Sequence, residues 1–260
     1  QYRPPPLARA GQPVPGDLLR LAAAGAEDLF EPFGGEPRAH LVEQGLAMLP
    51  MWDKADDWVL AYLTLARIHL AQANVRGAME AAEKATQLIQ TKGVFSEARH
   101  AVETAQVKLW LAQGDLRAAS RWAASQEERS GSGARFEFEN ELAHMGRARV
   151  LIALDRSAEA IILLSRLEET ARSAGRIGRA IEILLLEALA LQESGRSEQA
   201  MRALTECLTL AEPEGYARIF LDEGQPVQPL LARWLAYAGT GSSGDPASVR
   251  EYASCLLSKL

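Results

Sequence analysis

The chain has 260 residues, of which 48% are hydrophobic, 24% charged and 6% aromatic, and its formal net charge is −6. This length and apolar content allow a large buried core, and the abundance of Ala, Leu, Glu, Arg and Gln favours helices over strands. The acidic balance argues against direct binding of nucleic acid, which needs an excess of Lys and Arg to neutralise phosphates.

The N-terminal segment 1–16 contains five prolines and is predicted to be extended. Two further helices are predicted at 17–30 and 38–49, as a degenerate first hairpin or the tail of a preceding repeat. The sequence has neither a secretory signal nor an apolar run of about 18 residues. Cys207 and Cys255 are too few and too far apart for a disulfide framework. We therefore expect a cytoplasmic protein that does not contact membranes.

Small or turn-forming residues recur along the chain at a constant spacing. Ala73, Gly114, Asp155 and Gly195 stand 41, 41 and 40 residues apart. Seven residues before these turns, and again five residues after them, the side chains are small. They are Ala66, Val107, Ala148 and Ala188, followed by Ala78, Ala119, Ala160 and Ala200. Small residues at such positions let paired helices approach closely, and the pattern resembles the tetratricopeptide repeat.

The period exceeds the 34 residues or so of an ordinary tetratricopeptide repeat, which indicates a longer variant. The predicted fold is an all-α, superhelical solenoid of antiparallel helix hairpins with a repeat of about 40 residues, over 17–238. An ordinary helical bundle whose hairpins look alike is the alternative. Residues 239–248 are rich in Gly and Ser, which predicts a flexible linker and a loosely tethered helix at 249–260.

Cations recur six residues before the turns. Arg67, Lys108 and Arg149 occupy this position in three repeats, and Leu189 occupies it in the fourth. In a stack of hairpins, the first helix of each unit lines the concave face. The three cations therefore predict an electropositive row suited to an anionic or richly hydroxylated ligand. Pairing with acidic neighbours such as Glu103 is the alternative.

A second row of the predicted groove lies ten residues before the turns. Leu63, Thr104 and Met145 stand there, and they are expected to flank the cations and form an apolar wall beside the ligand. Trp110 is assigned instead to packing inside its hairpin.

The segment Leu210–Ala236 carries a distinctive motif. Its defining residues are Glu214, Gly215, Tyr216, Arg218, Phe220, Asp222, Glu223 and Gly224. Together with the long repeats before it, this motif resembles the end of the helical-repeat region in large ATP-dependent LuxR-type transcription regulators of the MalT-like group. The resemblance implies an effector-sensing region, with an ATPase domain before it and a helix-turn-helix domain after it. Neither domain is expected within these 260 residues, which contain no Gly-Lys dipeptide for a phosphate-binding loop.

The same motif allows a structural and a functional interpretation. Tyr216 and Phe220 are four residues apart and are predicted to pack on one helical face, with Gly224 ending that helix. Asp222 or Arg218 could instead contact an effector.

Motifs of enzymes and metal sites are weak in this sequence. Residues 239–244 match GxGxxG but lie in a predicted linker rather than between a strand and a helix. Glu97 with His100 and Glu141 with His144 form two Glu-x-x-His pairs, as in di-iron carboxylate proteins. We expect no cofactor, no metal and no catalysis.

The sequence as a whole favours a non-catalytic sensing or protein-interaction region of a LuxR-type regulator. Its ligand is expected to be a small effector or a protein partner, and occupancy of the site is expected to alter shape or self-association. A scaffold that binds only proteins is one alternative, and a di-metal carboxylate enzyme is another.

Overall fold

A computed structural model describes residues 55–92, 96–130, 140–238 and 246–260. These ranges contain eleven α-helices and one short 3-10 helix, and they contain no strand. The α-helices are α1 Ala55–Ala71, α2 Val75–Thr91, α3 Ser96–Ala112, α4 Leu116–Ser130, α5 Glu141–Ala153, α6 Ser157–Ser173, α7 Ile177–Glu193, α8 Ser197–Ala211, α9 Arg218–Leu221, α10 Val227–Ala238 and α11 Ala247–Leu257. The predicted extended segment, the predicted upstream hairpin and most of the predicted linker lie outside the described residues.

Helices α1 to α8 form four hairpins, one for each predicted repeat. The turn of each hairpin has the same backbone geometry, because the predicted turn residue adopts a left-handed conformation in all four. The φ angles are 56° at Ala73, 71° at Gly114, 58° at Asp155 and 77° at Gly195. In each turn the next amide donates to the carbonyl five residues earlier, over 2.8 to 2.9 Å. This bond closes the last helical turn as in a Schellman motif.

The small residues on either side of the turns lie where the helices of a hairpin pack together. Of the eight, seven are fully buried, and Ala66 is nearly so. Five of the eight hairpin helices, α1, α2, α3, α6 and α7, have 17 residues, which is close to five turns, so long helices contribute to the extended period. Helices α4 and α5 are shorter, with 15 and 13 residues. The predicted solenoid of long hairpins is therefore confirmed.

The core is unevenly distributed along the stack. One continuous apolar cluster runs from Met145 in α5 to Leu256 in α11. The first two hairpins contribute separate, smaller clusters, such as the one formed by Val59 and Leu63 of α1 with Val102 of α3. Among the described residues, the largest continuous apolar cluster therefore lies in the C-terminal half, where burial of apolar surface stabilises the stack.

Helices α10 and α11 cover the end of the last hairpin. Trp234 of α10 is fully buried and donates its indole N–H to Thr205 Oγ1 at 2.8 Å. Tyr252 of α11 donates to the backbone oxygen of Tyr216 at 2.8 Å and packs edge-on against Phe220. The predicted loose tethering of the final helix is therefore wrong, because its apolar face is buried in the main core.

Candidate functional site

The predicted row of cations meets two consecutive acidic residues of the same chain. Arg67 Nη2 lies 2.6 Å from Asp222 Oδ2, and Lys108 Nζ lies 2.8 Å from Glu223 Oε1. Arg149 donates to Glu223 from two nitrogens, with Nη2 2.6 Å from Oε1 and Nε 3.0 Å from Oε2. The first helices of three successive hairpins therefore converge on one dipeptide, which requires the row to curve around it.

The fourth repeat has no cation in this row, and its first helix, α7, contributes an acidic residue at the end of the row instead. Leu189 takes the equivalent position, while Glu182 of α7 accepts from Arg149 Nη2 at 2.8 Å. Arg179 Nη1 in turn donates to the other oxygen of Glu182 at 2.6 Å. The positive charge of Arg149 is thus shared between two carboxylates, one from α7 and one from the motif after α9.

Exposure decreases steadily along the row. The side chain of Arg67 is 33% exposed, that of Lys108 is 24% exposed and that of Arg149 is only 4% exposed. Charged groups interact more strongly where water is excluded. We call the Arg67–Asp222 pair the outer end of the row and the Arg149–Glu223 pair its inner end.

The electrostatics of the inner end favour the ionised forms of both partners. Burial on its own raises the pKa of Glu223, but the charges of Arg149 and Lys108 outweigh it and hold the pKa well below its usual range. For Arg149, burial lowers the pKa while Glu223 and Glu182 raise it, and the net shift is upward. Buried ion pairs with this bidentate geometry are strong contacts.

The two acidic residues are positioned by a short capping segment. Helix α9 spans a single turn, and Phe220 within it is fully buried in the main core. Asp222 and Glu223 follow directly, and Gly224 turns the chain with a φ of 68°. Arg218, at the start of α9, pairs with Asp222 one turn later. Phe220 therefore anchors the segment on one side, while the two carboxylates face the row on the other.

The structure differs from the sequence prediction at Tyr216. Helix α9 begins only at Arg218, so Tyr216 and Phe220 do not share a helical face as predicted. The left-handed Gly215, with a φ of 69°, separates Tyr216 from the preceding helix. Both aromatic side chains nevertheless pack against the main core. Gly224 ends the turn that follows α9, three residues after Leu221.

The predicted apolar wall is not part of an open groove. Leu63, Thr104 and Met145 are all buried, and each contacts the first helix of the next hairpin. Leu63 packs with Val102, Thr104 Oγ1 donates to the Leu142 carbonyl at 3.0 Å, and Met145 Sδ lies 3.7 Å from Arg179 Nη1. These positions were assigned to the ligand because only their register was known. They belong instead to the interface between repeats.

The candidate metal-ligand and nucleophile side chains that the structure describes make structural contacts. Glu141 forms ion pairs with Arg176 and Arg179. Within the described ranges, no group of three or more His, Cys, Asp or Glu side chains is arranged to hold a metal ion. Cys207 is buried, which raises its thiol pKa and disfavours the reactive thiolate. The glycine motif at 239–244 lies outside the described residues.

Packing accounts for the aromatic residue beside the row. Trp110 packs against the cluster of Val107, Ala119, Ala123 and Val150, which joins the second and third hairpins, so its role in packing is as predicted. The sequence interpretation did not identify Glu182 or Arg179 as members of the site. A usable signal existed, since Arg179 and Glu182 stand three residues apart on the first helix of the fourth hairpin, ten and seven residues before the row position at Leu189.

Four registered hairpins followed by a capping segment define this chain as a tetratricopeptide-like helical-repeat region. A family model described as the MalT-like TPR region matches residues 38–236. The chain therefore belongs to the MalT-like TPR family, and the resemblance noted in the sequence is confirmed.

Two curated relatives are HTH-type transcriptional regulators called MalT, from two Klebsiella pneumoniae strains. They are 30% and 29% identical to this chain over 126 residues. The matched part is 48% of this chain but only 14% of each relative. The chain thus corresponds to a small part of these regulators.

A solved structure of a Podosopora anserina protein, described as a kinesin light chain with nearly identical TPR-like repeats, is 18% identical to this chain. The match covers 77% of this chain and 93% of the solved one, with a TM-score of 0.45. No helix in the described ranges has both the length and the apolar character of a membrane span.

Proposed function

We propose that this chain is the effector-sensing and protein-interaction region of a MalT-like transcription regulator, and that it acts by binding rather than by catalysis. In this proposal an ATPase domain and a helix-turn-helix domain flank it in the complete regulator. The ligand binds along the row of Arg67, Lys108 and Arg149, and its occupancy is passed to the flanking domains as a change in the packing of the hairpins.

The observation that carries the proposal is the convergence of three repeats on one pair of carboxylates. Cations in equivalent positions of α1, α3 and α5 contact Asp222 and Glu223 at 2.6 to 2.8 Å. Such an arrangement binds anionic groups, and it links hairpins that are otherwise adjacent only in pairs. A ligand at the row therefore acts on three hairpins at once.

A pure protein-interaction scaffold is the second candidate, and one observation favours it. The groups that contact the row are the carboxylates of two consecutive residues of a polypeptide, Asp222 and Glu223, which is the kind of group that a partner protein could present. Under this alternative the region responds to proteins only.

A thermal-shift screen of sugars, organic acids, aromatic metabolites and acidic peptides tests the proposal. A ligand at 100 times its Kd stabilises the folded state by about 2.7 kcal/mol, and we expect Tm to rise by at least about 5 °C. The rise should disappear in Arg67→Ala/Lys108→Ala. It should persist in Arg76→Ala/Arg233→Ala, which removes two exposed cations elsewhere.

Two outcomes of the screen contradict the proposal. One is a ligand whose effect on Tm survives in Arg67→Ala/Lys108→Ala, since that ligand binds away from the row. The other is the absence of any compound or peptide that raises Tm. Hits confined to peptides favour the scaffold over the effector sensor.

A further inference from the structure

The two ends of the row differ in how firmly they are held. At the inner end, Arg149 is bound by Glu223 through two nitrogens and also by Glu182. At the outer end, Arg67 also contacts Asp222 through two nitrogens, but both bonds go to one carboxylate oxygen and a third of the Arg67 side chain is exposed. Solvent and dissolved ions therefore compete at the outer end much more than at the inner end.

The outer end also joins two parts of the molecule whose described residues belong to separate apolar clusters. Arg67 belongs to the first hairpin, whose described residues contribute to two small clusters. Asp222 belongs to the segment anchored by Phe220 in the large C-terminal cluster. Their contact links residues 155 positions apart in the chain.

We propose that Arg67 and Lys108 form a docking site for an acidic peptide segment of a partner protein, and that Asp222 is the chain's own occupant, which this segment replaces. The inference rests on the proposed function, because it takes the row as the recognition surface. Beyond the proposed function, it specifies that the partner presents an acidic peptide and that Asp222 competes with this peptide for the row.

The present occupant indicates a peptide rather than a small anion. Asp222 and Glu223 are consecutive, and their carboxylates satisfy cations on different hairpins. The spacing of the row therefore matches the spacing of neighbouring acidic side chains on one backbone. The two cations of the proposed site contact different carboxylates, Arg67 that of Asp222 and Lys108 that of Glu223, so two acidic side chains of one peptide match them better than one small carboxylate does.

Asp222 can leave Arg67 without becoming an unpaired charge. It also pairs with Arg218, one helical turn earlier and inside the same capping segment. Glu223 keeps Arg149 as its partner after Lys108 turns to the peptide. The exchange at the outer end therefore replaces ion pairs with equivalent ones. It avoids leaving a buried charge without a partner, which would be costly.

Fluorescence anisotropy with a labelled acetyl-(Asp-Glu)3-amide peptide at pH 7 and low salt tests this inference. Asp222→Asn removes the competing charge and should tighten the peptide Kd by about fivefold, the equivalent of one partly exposed ion pair. Glu169→Gln, an acid-to-amide change at an exposed site on α6, should leave Kd unchanged. Arg67→Ala in the Asp222→Asn background should abolish the gain.

Two control ligands show whether binding depends on the acidic side chains of a peptide or on negative charge in general. An acetyl-(Asn-Gln)3-amide peptide should not bind, and a single-stranded oligonucleotide should bind more weakly than the acidic peptide. Arg67→Ala in the parent chain should weaken peptide binding on its own, so the test does not depend on the folding of Asp222→Asn.

The inference is overturned if acidic-peptide affinity is the same in the parent, Asp222→Asn and Arg67→Ala/Asp222→Asn, if no variant binds the peptide, or if the oligonucleotide binds more tightly. A small ligand that raises Tm through the row, combined with no peptide binding, refutes the inference and leaves the proposed function standing. Peptide binding that is independent of the row contradicts both.

Discussion

At the scale of single residues, the hairpin turns show where the repeat is strained. Ala73 and Asp155 occupy the left-handed conformation that Gly114 and Gly195 occupy in the other two repeats. For a residue with a Cβ this conformation costs about 1–2 kcal/mol. Glycine avoids this steric cost, but it loses more backbone entropy than alanine on folding, which offsets part of the gain. We predict that Ala73→Gly raises the free energy of unfolding by about 0.5–1 kcal/mol, as measured by urea denaturation.

The reverse substitution provides the control. A Cβ at Gly114 would have no atom within 4 Å, so Gly114→Ala changes backbone strain without creating a clash. It should lower the free energy of unfolding by a similar amount. Stabilisation by Gly114→Ala, or destabilisation by Ala73→Gly, would show that the turns do not adopt the common left-handed form.

Glu223 should make stability depend on pH. Its folded pKa lies below the ordinary value of about 4.3, so its contribution is complete above that pH and is lost as pH falls further. Glu223→Gln leaves Arg149 buried with a weaker partner, which we expect to cost about 3 kcal/mol at pH 7. The difference in unfolding free energy between parent and variant should shrink as pH falls below about 4.3.

Chemical denaturation at pH 7, 5 and 3.5 measures this difference. Glu169→Gln makes the same change of charge at an exposed site, and its difference from the parent should stay small at every pH. A Glu223→Gln penalty that is equally large at pH 7 and pH 3.5 would mean that the ion pair is not its source.

The cations of the site were predictable from the sequence, but their partners were not. A constant interval of 41 residues placed Arg67, Lys108 and Arg149 in one register. Their partners Asp222 and Glu223 lie 74 to 155 residues away, a separation at which sequence pattern carries no pairing information. Glu103, suggested as a neutralising neighbour, accepts from Gln126 at 3.0 Å.

At the scale of helices, the second and third hairpins meet through a close contact. Gly146 of α5 lies against Trp122 of α4, and a Cβ at this position would stand 2.8 Å from the indole ring. Overpacking of this kind costs about 1–3 kcal/mol. We predict that Gly146→Ala lowers Tm, measured by differential scanning calorimetry.

A second helical glycine supplies the matched control. At Gly178 of α7 an added Cβ would make only an ordinary contact, 3.4 Å from the hydroxyl of Tyr216. Gly178→Ala should therefore leave Tm unchanged or raise it, because alanine favours the helix. Equal losses of Tm in the two variants would contradict the Trp122 contact.

The packing of the final helix, α11, could not be predicted from the composition of the segment before it. The Gly and Ser content of 239–248 describes the connection but not the helix that follows it. Val249, Tyr252, Ala253 and Leu256 recur at helical spacing and are all buried. That apolar stripe was readable from the sequence, whereas the surface that it covers depends on the tertiary arrangement of α8 and α10.

At the scale of the whole molecule, the uneven core predicts uneven stability. In a solenoid each hairpin is stabilised mainly by its neighbours, and in the part of the chain that the structure describes the first hairpin contributes to small clusters. We predict that amides of α1 and α2 exchange with deuterium faster than those of α7 and α8 under native conditions. Equal protection in the two pairs of helices would contradict this distribution.

The sequence predicted the order and period of the hairpins because local rules determine them. Turn residues and small side chains act within one repeat, and these rules recur four times. Closure of the row by Asp222 and Glu223 results from the curvature of the whole stack, which no single repeat encodes. For that reason the predicted open groove proved to contain a segment of the same chain.

The most direct test of the account is a double-mutant cycle between Arg67 and Asp222. The unfolding free energies of the parent, Arg67→Ala, Asp222→Asn and the double variant give the coupling between residues 155 positions apart. We predict a coupling of about 0.5–1 kcal/mol that weakens at high salt, as expected for a partly exposed ion pair. Strictly additive effects at low salt would mean that the first hairpin does not meet the capping segment, which would contradict the curved row of cations.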